Sequence, residues 1–514
     1  MHPLPFIQGT GKHTALYVDG APYLVRGGEI HNSSASDLSY MEKYVWPAYV
    51  RFHTNTLIAP VYWECLEPED GMFDFSLVDG LLRQARERKQ RLILLWFGLW
   101  KNSASTYVPG WVKRDPARVW YIQAQNGKTP RYFDAPVRIL SPLCQAAVEA
   151  DAGAFACLME HLRQTDEEHT VIMVQVENEM GILGSDRDYS PEADAAFAGT
   201  VPALLTERLQ LSGTWQEAFG DYAAEAFMAW HYATATEYIC SAGKARLPLP
   251  MYVNTWLEQA PWIPGRYPSG GPQYKNARIW KAAAPSIDIM APDIYVTYFQ
   301  KVCQEYATPE NALFIPETRV EAACYLYALG EHNALGFAPF GLEDCAVQTE
   351  ETDARTLEIL QIADSGANRR QLSGQLLGQA YLLTAPMTDM IHRAHAQGRI
   401  RGFLYTGEPQ ERITLPGADL CITYEHTQDS DPTGGGLAIA LGDGVYLVMA
   451  VNCALTLESR QPGWLLDTIG KEEGTYQDGQ WVRGRILNGD ERYRNVFGNE
   501  VTMIRLEMLA YEDA

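Results

Sequence analysis

Eight short apolar runs recur through the first 341 residues, each rich in β-branched or aromatic side chains and each followed by a helix-like stretch. They are 23-YLVRGGEIH-31, 56-TLIAPVYWE-64, 91-RLILLWFGLW-100, 171-VIMVQVENE-179, 250-PMYVNTW-256, 287-IDIMAPDIY-295, 313-LFIPE-317 and 334-ALGFAPFG-341. Nearly continuous apolar runs, as opposed to strict alternation, mark parallel strands covered on both faces. Between them, segments such as 76-SLVDGLLRQARERKQ-90 carry apolar residues at helical spacing, with charges on the other side. Eight strand–helix units in this order predict a (β/α)8 TIM barrel, assigned to residues 1–370. The long gaps at 101–170 and 180–249 predict extra helices over one rim.

After about residue 385 the texture changes. Strand-like segments punctuated by Gly, Pro and Asp, such as 402-GFLYTGEPQERITLPG-417, replace helical periods. They predict a smaller C-terminal antiparallel β-sandwich domain over 399–514. The stretch 371–398 reads as a helical connection, kinked or broken at Pro386. The glycine-rich 429-DSDPTGGGLA-438 reads as a turn or flexible loop.

The charge balance, 41 basic against 64 acidic residues, is −23. It disfavours nucleic acid as a partner. No 18 apolar residues run together, so no membrane span is expected. No basic start followed by an apolar block suggests a signal peptide. The nine cysteines show no Cys-x-x-Cys spacing, which argues against a disulfide framework or zinc site and fits a reducing cytoplasm with mostly buried thiols. No His or carboxylate cluster has metal-ligand spacing in the chain, so neither metal nor cofactor is expected.

Charged groups are costly to bury, yet the fourth run ends in Glu177-Asn178-Glu179 and the seventh in Glu317. In a barrel of this kind, chemistry sits where strands end at the C-terminal face. Two carboxylates facing each other across that mouth suit glycoside hydrolysis, one as a proton donor and one as an ionised nucleophile. Taken singly, either could cap the following helix instead. Glu177, two residues upstream of Glu179, reads as a buried hydrogen-bonding partner on the same side but deeper in the barrel.

The segments 26-RGGEIH-31, 67-EPEDGMFDFSLVD-79 and 175-QVENEMG-181, with the tail 470-GKEEGTYQDGQWVRGRILNGDE-491, resemble family 35 glycoside hydrolases of clan A, the β-galactosidases. Family 42 is resembled less closely. The likeness spans nearly the whole chain and points to a bacterial subgroup with a C-terminal β-domain. It implies Glu179 as acid/base and Glu317 as nucleophile of a retaining, exo-acting β-galactosidase. It further implies Asn178 on the sugar 2-hydroxyl and Tyr295 as hydrogen-bond donor to Glu317. One departure stands out. Many members carry Cys-Ala-Glu-Trp after the third strand, where this chain reads 99-LWKNSAS-105 with Asn102 near the position of that Glu. An amide both donates and accepts where a carboxylate only accepts, so the sugar contact differs.

Polar and aromatic residues at the other strand ends are further sugar-site candidates: Glu64, Trp100, Asn254 and Trp256. Glu29, near the end of the first run, is a candidate contact or a member of a network below the pocket, and His31 reads as a satisfied core histidine. The loop 257-LEQAPWIPGRYPSGGPQY-274 is a candidate outer subsite. The expected partner is an oligosaccharide or glycoside, and a dimer or trimer is compatible with the chain. A β-glucosidase or transglycosylase on the same two glutamates, and a non-catalytic carbohydrate-binding barrel, remain alternatives.

Overall fold

The computed structural model describes residues 3–346, 367–424 and 433–513. A three-stranded antiparallel ribbon opens the chain: β1 (Phe6–Gln8), β2 (Ala15–Val18) and β3 (Ala21–Tyr23). Its strands are too short and mixed in character to stand out in the sequence.

The eight apolar runs supply one eight-stranded parallel sheet. Its strands are β4 (Val25–Glu29), β5 (Thr56–Tyr62), β6 (Arg91–Lys101), β9 (Val171–Asn178), β10 (Met251–Trp256), β11 (Ile289–Ile294), β12 (Glu317–Thr318) and β13 (Gly336–Phe337). The hairpin β7 (Arg131–Tyr132) and β8 (Ala135–Pro136) interrupts the series. Neighbours in the sheet follow chain order around a ring, with β13 beside β4. The ring closes where Ile315 N donates to Gly336 O (3.2 Å) and Ala338 N donates to Ile315 O (2.9 Å). The fold is therefore a (β/α)8 barrel followed by antiparallel sheets.

Helices cover the outside of the barrel because each strand buries both faces. A helical segment over 38–51 follows β4. Then come α1 (Ser76–Glu87), α2 (Gln145–Thr165), α3 (Ala223–Lys244), α4 (Ala277–Ala283), α5 (Phe299–Tyr306), α6 (Ala322–His332) and α7 (Ala367–Thr384). The gap after β9 holds three additional short helices, Pro191–Phe197, Ala203–Leu209 and Trp215–Phe219. The last of these begins with a capping box between Thr214 and Glu217. At Pro386 the chain leaves α7 through a tight turn, Ala385–Met387, and resumes as α8 (Thr388–Ala396). Proline supplies no amide hydrogen to continue the ladder, which explains the break.

The C-terminal strands are β14 (Ile400–Leu404), β15 (Gln410–Leu415), β16 (Ala418–Thr423), β17 (Gly435–Gly442), β18 (Val445–Val451), β19 (Cys453–Ser459), β20 (Trp464–Gln477), β21 (Gln480–Ile486), β22 (Asn495–Phe497) and β23 (Thr502–Glu512). They form a six-stranded sheet, β14-β17-β18-β23-β20-β21, and a four-stranded one, β15-β16-β19-β22. Period-two alternation decides what each face meets. Leu437, Ile439, Leu447 and Met449 join the barrel core, while Ala438, Ala440, Val448 and Ala450 join a second core shared with Leu420 and Ile422 of β16. The glycine-rich loop expected at 429–438 is corrected in part. Residues 429–432 lie outside the described residues, but Gly435 already belongs to β17. A Cβ on Gly435 would lie 2.8 Å from Phe403 O and 3.0 Å from Ala323 Cβ. These glycines let strand and helix approach closely.

Candidate active site

The mouth of the barrel is shaped by a defect in β6. Leu92 to Trp96 pair with β9, then the register jumps so that Lys101 lies opposite Asn178. The extra residues bulge out, and their amides must find other acceptors. Glu177 provides them. Its carboxylate accepts from Trp100 N (2.6 Å) and Leu99 N (3.2 Å), and Asp151 of α2 accepts from Leu99 N (2.7 Å) and from the indole of Trp96 (2.7 Å). Glu177 thus faces the outer helix and not the inside below Glu179. The alternation of the strand fails there because Glu177 and Glu179 both adopt left-handed backbone, φ 64° and 46°. Burial, followed by the charge of Asp151, pushes the Glu177 carboxyl well above the usual range; burial likewise takes Asp151 up to about 6.

Glu179 then turns into the mouth, where it meets Asp293 of β11 and Glu317 of β12. One oxygen from each of the three lies within 4.8 Å of the others. Asn254 of β10 ties two of them together, accepting from Glu179 N (2.8 Å) and donating to Asp293 Oδ2 (2.7 Å). The Tyr295 hydroxyl donates to Glu317 Oε1 at 2.7 Å. Lys101, at the end of the β6 bulge, brings a positive charge whose field favours the ionised forms of Glu29, Glu179 and Glu317 together. Its ammonium donates to the Asn102 side chain.

Burial sets the protonation of this cluster. It lifts Glu179 to about 7, helped by the charge of Glu317 and opposed by Lys101 and a hydrogen bond with Asp293. Glu317 is also raised by burial, but Lys101 and the Tyr295 hydroxyl hold it down. Asp293 and Glu29 are driven well above the carboxylate range, first by burial and then by the charge of Glu317. The arrangement separates one carboxyl disposed to carry a proton from another with donors that favour its charge. Among the described residues, Glu179, Asp293 and Glu317 are also the one set of three or more His, Cys, Asp or Glu side chains close enough to share a cation.

The remaining expected residues divide into three sets. Tyr295, Asn102 and Trp256 line the cleft above the carboxylates, alongside Glu179 and Glu317. Asn254, Glu29 and Asn178 are fully buried around it. Both oxygens of Glu29 and both polar atoms of the Asn178 amide lack a protein hydrogen-bond partner, a state that costs on the order of 1–3 kcal/mol per group. Glu64 and Trp100 lie elsewhere. Glu64 is exposed on a helical turn just past β5, and Trp100 is wholly buried with its indole nitrogen on Leu140 O (2.9 Å) and its ring edge-on to Tyr232. The bulge carries Trp100 outward, away from the mouth. His31 is a correction too, since it lines the cleft, 3.0 Å from Asp344, instead of lying in the core. Two members of the cluster, Asp293 and Lys101, were not singled out from the sequence. Asp293 was open to the same argument as Glu179, being an acid in a buried run two residues before Tyr295.

Residues 49–230 match a family described as "Beta-galactosidase". Residues 377–498 match a domain of unknown function, DUF5597. The first match covers β5, β6 and β9 with Glu179, and stops short of Glu317. Over 217 residues the chain is 29% identical to the human "Beta-galactosidase-1-like protein 3", covering 40% of this chain and 30% of that protein. The chain thus spans under a third of the length of this curated relative. Among solved structures, the β-galactosidase of Rahnella sp. R3 aligns with TM-score 0.42 at 14% identity, covering 62% of this chain and 50% of that one. The β-galactosidase of Marinomonas ef1 aligns with TM-score 0.45 at 11% identity, covering 71% of this chain and 61% of that one. The β-amylase catalytic domain of Paenibacillus polymyxa gives 0.47 at 12%, over 66% and 98%. The segment that carries Glu179 has the sequence character of a glycoside hydrolase.

Proposed function

We propose that this protein is a retaining, exo-acting β-glycosidase of β-galactosidase type that releases the terminal sugar of an oligosaccharide or glycoside. The observation that carries the reading is the pair Glu179 and Glu317, with oxygens within 4.8 Å across the barrel mouth. Retaining enzymes hold their two carboxyl groups about 5–5.5 Å apart, whereas inverting enzymes leave room for a water between them. In the first step a Glu317 oxygen attacks the anomeric carbon, the glycosidic C–O bond breaks, and Glu179 gives its proton to the departing oxygen. In the second, Glu179 takes a proton from water as the water oxygen attacks that carbon and frees Glu317. Tyr295 keeps Glu317 aimed and charged. Asn178, with its amide unused by the protein, holds the sugar 2-hydroxyl, and Asn102 stands at the cleft wall in place of a carboxylate. We assign the chemistry to the barrel, residues 1–370, with 371–398 and 399–514 as its support.

A panel of nitrophenyl β-D-galactoside, β-D-glucoside, β-D-fucoside and α-L-arabinopyranoside tests the reading, with proton NMR of the first sugar anomer released. Fastest release from the galactoside with the β anomer appearing first is expected. The α anomer of galactose appearing first from the galactoside would overturn retention, and no release from any of the four would overturn the glycosidase reading. Release that depends on an added sugar acceptor would identify a transglycosylase.

A further inference from the structure

The cleft above the carboxylates has a volume of about 1170 Å³. That exceeds the roughly 300–1,000 Å³ of most small-molecule sites, so one sugar ring at Glu179 and Glu317 leaves much of it unused. Its walls differ in chemistry. One carries Asn32, Ser33 and Ser36; the other carries Trp256 and Tyr132, whose rings meet edge-on at 6.5 Å.

Tyr132 stands on the β7–β8 hairpin, whose two-residue turn is Phe133-Asp134 with φ 44° and 64°. Turns of this kind favour Asn-Gly or Gly-Gly, because left-handed backbone strains a bulky side chain. Phenylalanine nevertheless occupies the first turn position. Its ring lies 4.4 Å from that of Tyr132 and is 63% exposed, so core burial does not offset the strain. Beside the hairpin, the loop 257–266 leaves Trp262 57% and Ile263 56% exposed. The Tyr132 hydroxyl donates to Arg266 O (3.4 Å) and joins loop to hairpin. Tyr132, Trp256, Leu257 and Gln259 line the cleft, and Phe133, Trp262 and Ile263 extend the same hairpin and loop into solvent, where a longer ligand would cover them.

We propose that the hairpin 131–136 and the loop 257–266 form outer subsites for the second and third sugars of a neutral β-linked oligosaccharide. The proposal rests on the glycosidase reading for the position of the first sugar. A pyranose offers a C–H face for an aromatic ring and a rim of hydroxyls for Ser33, Ser36 and Asn32. A flat aryl aglycone would favour apolar walls on both sides.

The test is calorimetric binding of β-galacto-oligosaccharides of two, three and four units to Glu317→Gln protein, with and without Phe133→Gly. Affinity is expected to rise from two units to three. Phe133→Gly is expected to weaken the trisaccharide by about tenfold, the worth of one aromatic contact, without lowering Tm, because glycine relaxes the turn. A merely structural Phe133 would lower Tm and weaken all lengths equally, which would overturn its assignment to the subsite. Affinity that does not grow with length overturns the outer subsites, whatever the nitrophenyl glycosides show. Affinity that grows with length in a protein whose native form turns over no glycoside keeps the subsites and overturns the hydrolase reading.

Discussion

At the scale of single residues, the site works by giving neighbouring carboxyls different surroundings. Glu179 has burial and a like charge against it, while Glu317 has a tyrosine hydroxyl and shares the field of Lys101. Replacing Glu179 by alanine or Glu317 by glycine is expected to lower kcat by about 10²–10⁴-fold or more with the circular dichroism spectrum retained. Full turnover in either variant would remove that residue from the chemistry. With Glu179 at about 7, the proton donor is lost as pH rises, so kcat/KM is expected to fall on the alkaline side of neutrality. The same group affects stability. Its folded-state affinity for protons exceeds the unfolded value of 4.5, so its contribution is fully present below about 4.5 and lost as pH rises towards 7. Glu179→Gln should therefore gain Tm over the native chain at pH 8 relative to pH 5. An equal difference at both pH values would refute the shift.

At the scale of elements, the bulge of β6 governs which residues reach the mouth. Gly98 sits at its centre, where a Cβ would lie 2.4 Å from Asp151 Oδ2 and 2.5 Å from Glu177 Oε1. Gly98→Ala is expected to cost about 1–3 kcal/mol in urea unfolding and to lower activity as well, since the bulge carries Lys101. An alanine variant of native stability and activity would show that the bulge tolerates displacement. This element also shows where reading the sequence stops. The run 91-RLILLWFGLW-100 is legible as a strand because its apolar residues are contiguous. The register jump is not, because it is imposed by Glu177 and Asp151, which are distant in sequence. Trp100 and Glu64 lie away from the mouth for that kind of reason: a strand-end position does not tell which way the chain turns next. Glu179, Glu317, Tyr295 and Trp256 are legible as cleft candidates because they end strands whose direction is shared, whereas Asn102 is legible only through the resemblance to family 35.

For the whole molecule, the C-terminal sheet and the barrel share one apolar core through α6. Gly330 of α6 lies against β17, where a Cβ would sit 2.6 Å from Leu437 Cβ. Gly330→Val should lower Tm by forcing the sheet off the helix, an overpacking cost of about 1–3 kcal/mol. Thermal unfolding of the native chain should show one transition by both tryptophan fluorescence and far-ultraviolet circular dichroism, because neither part buries its own face alone. Two separate transitions would disprove the shared core. The eight-strand barrel, the change to antiparallel strands and the break at Pro386 are legible along the chain, since periodicity and proline chemistry act over a few residues. That Asp293 and Lys101 join the two glutamates, that Glu177 faces outward and that His31 lines the cleft follows from the three-dimensional packing alone. Those outcomes depend on distances between segments far apart in the chain, and on two left-handed residues that override the alternation of the strand.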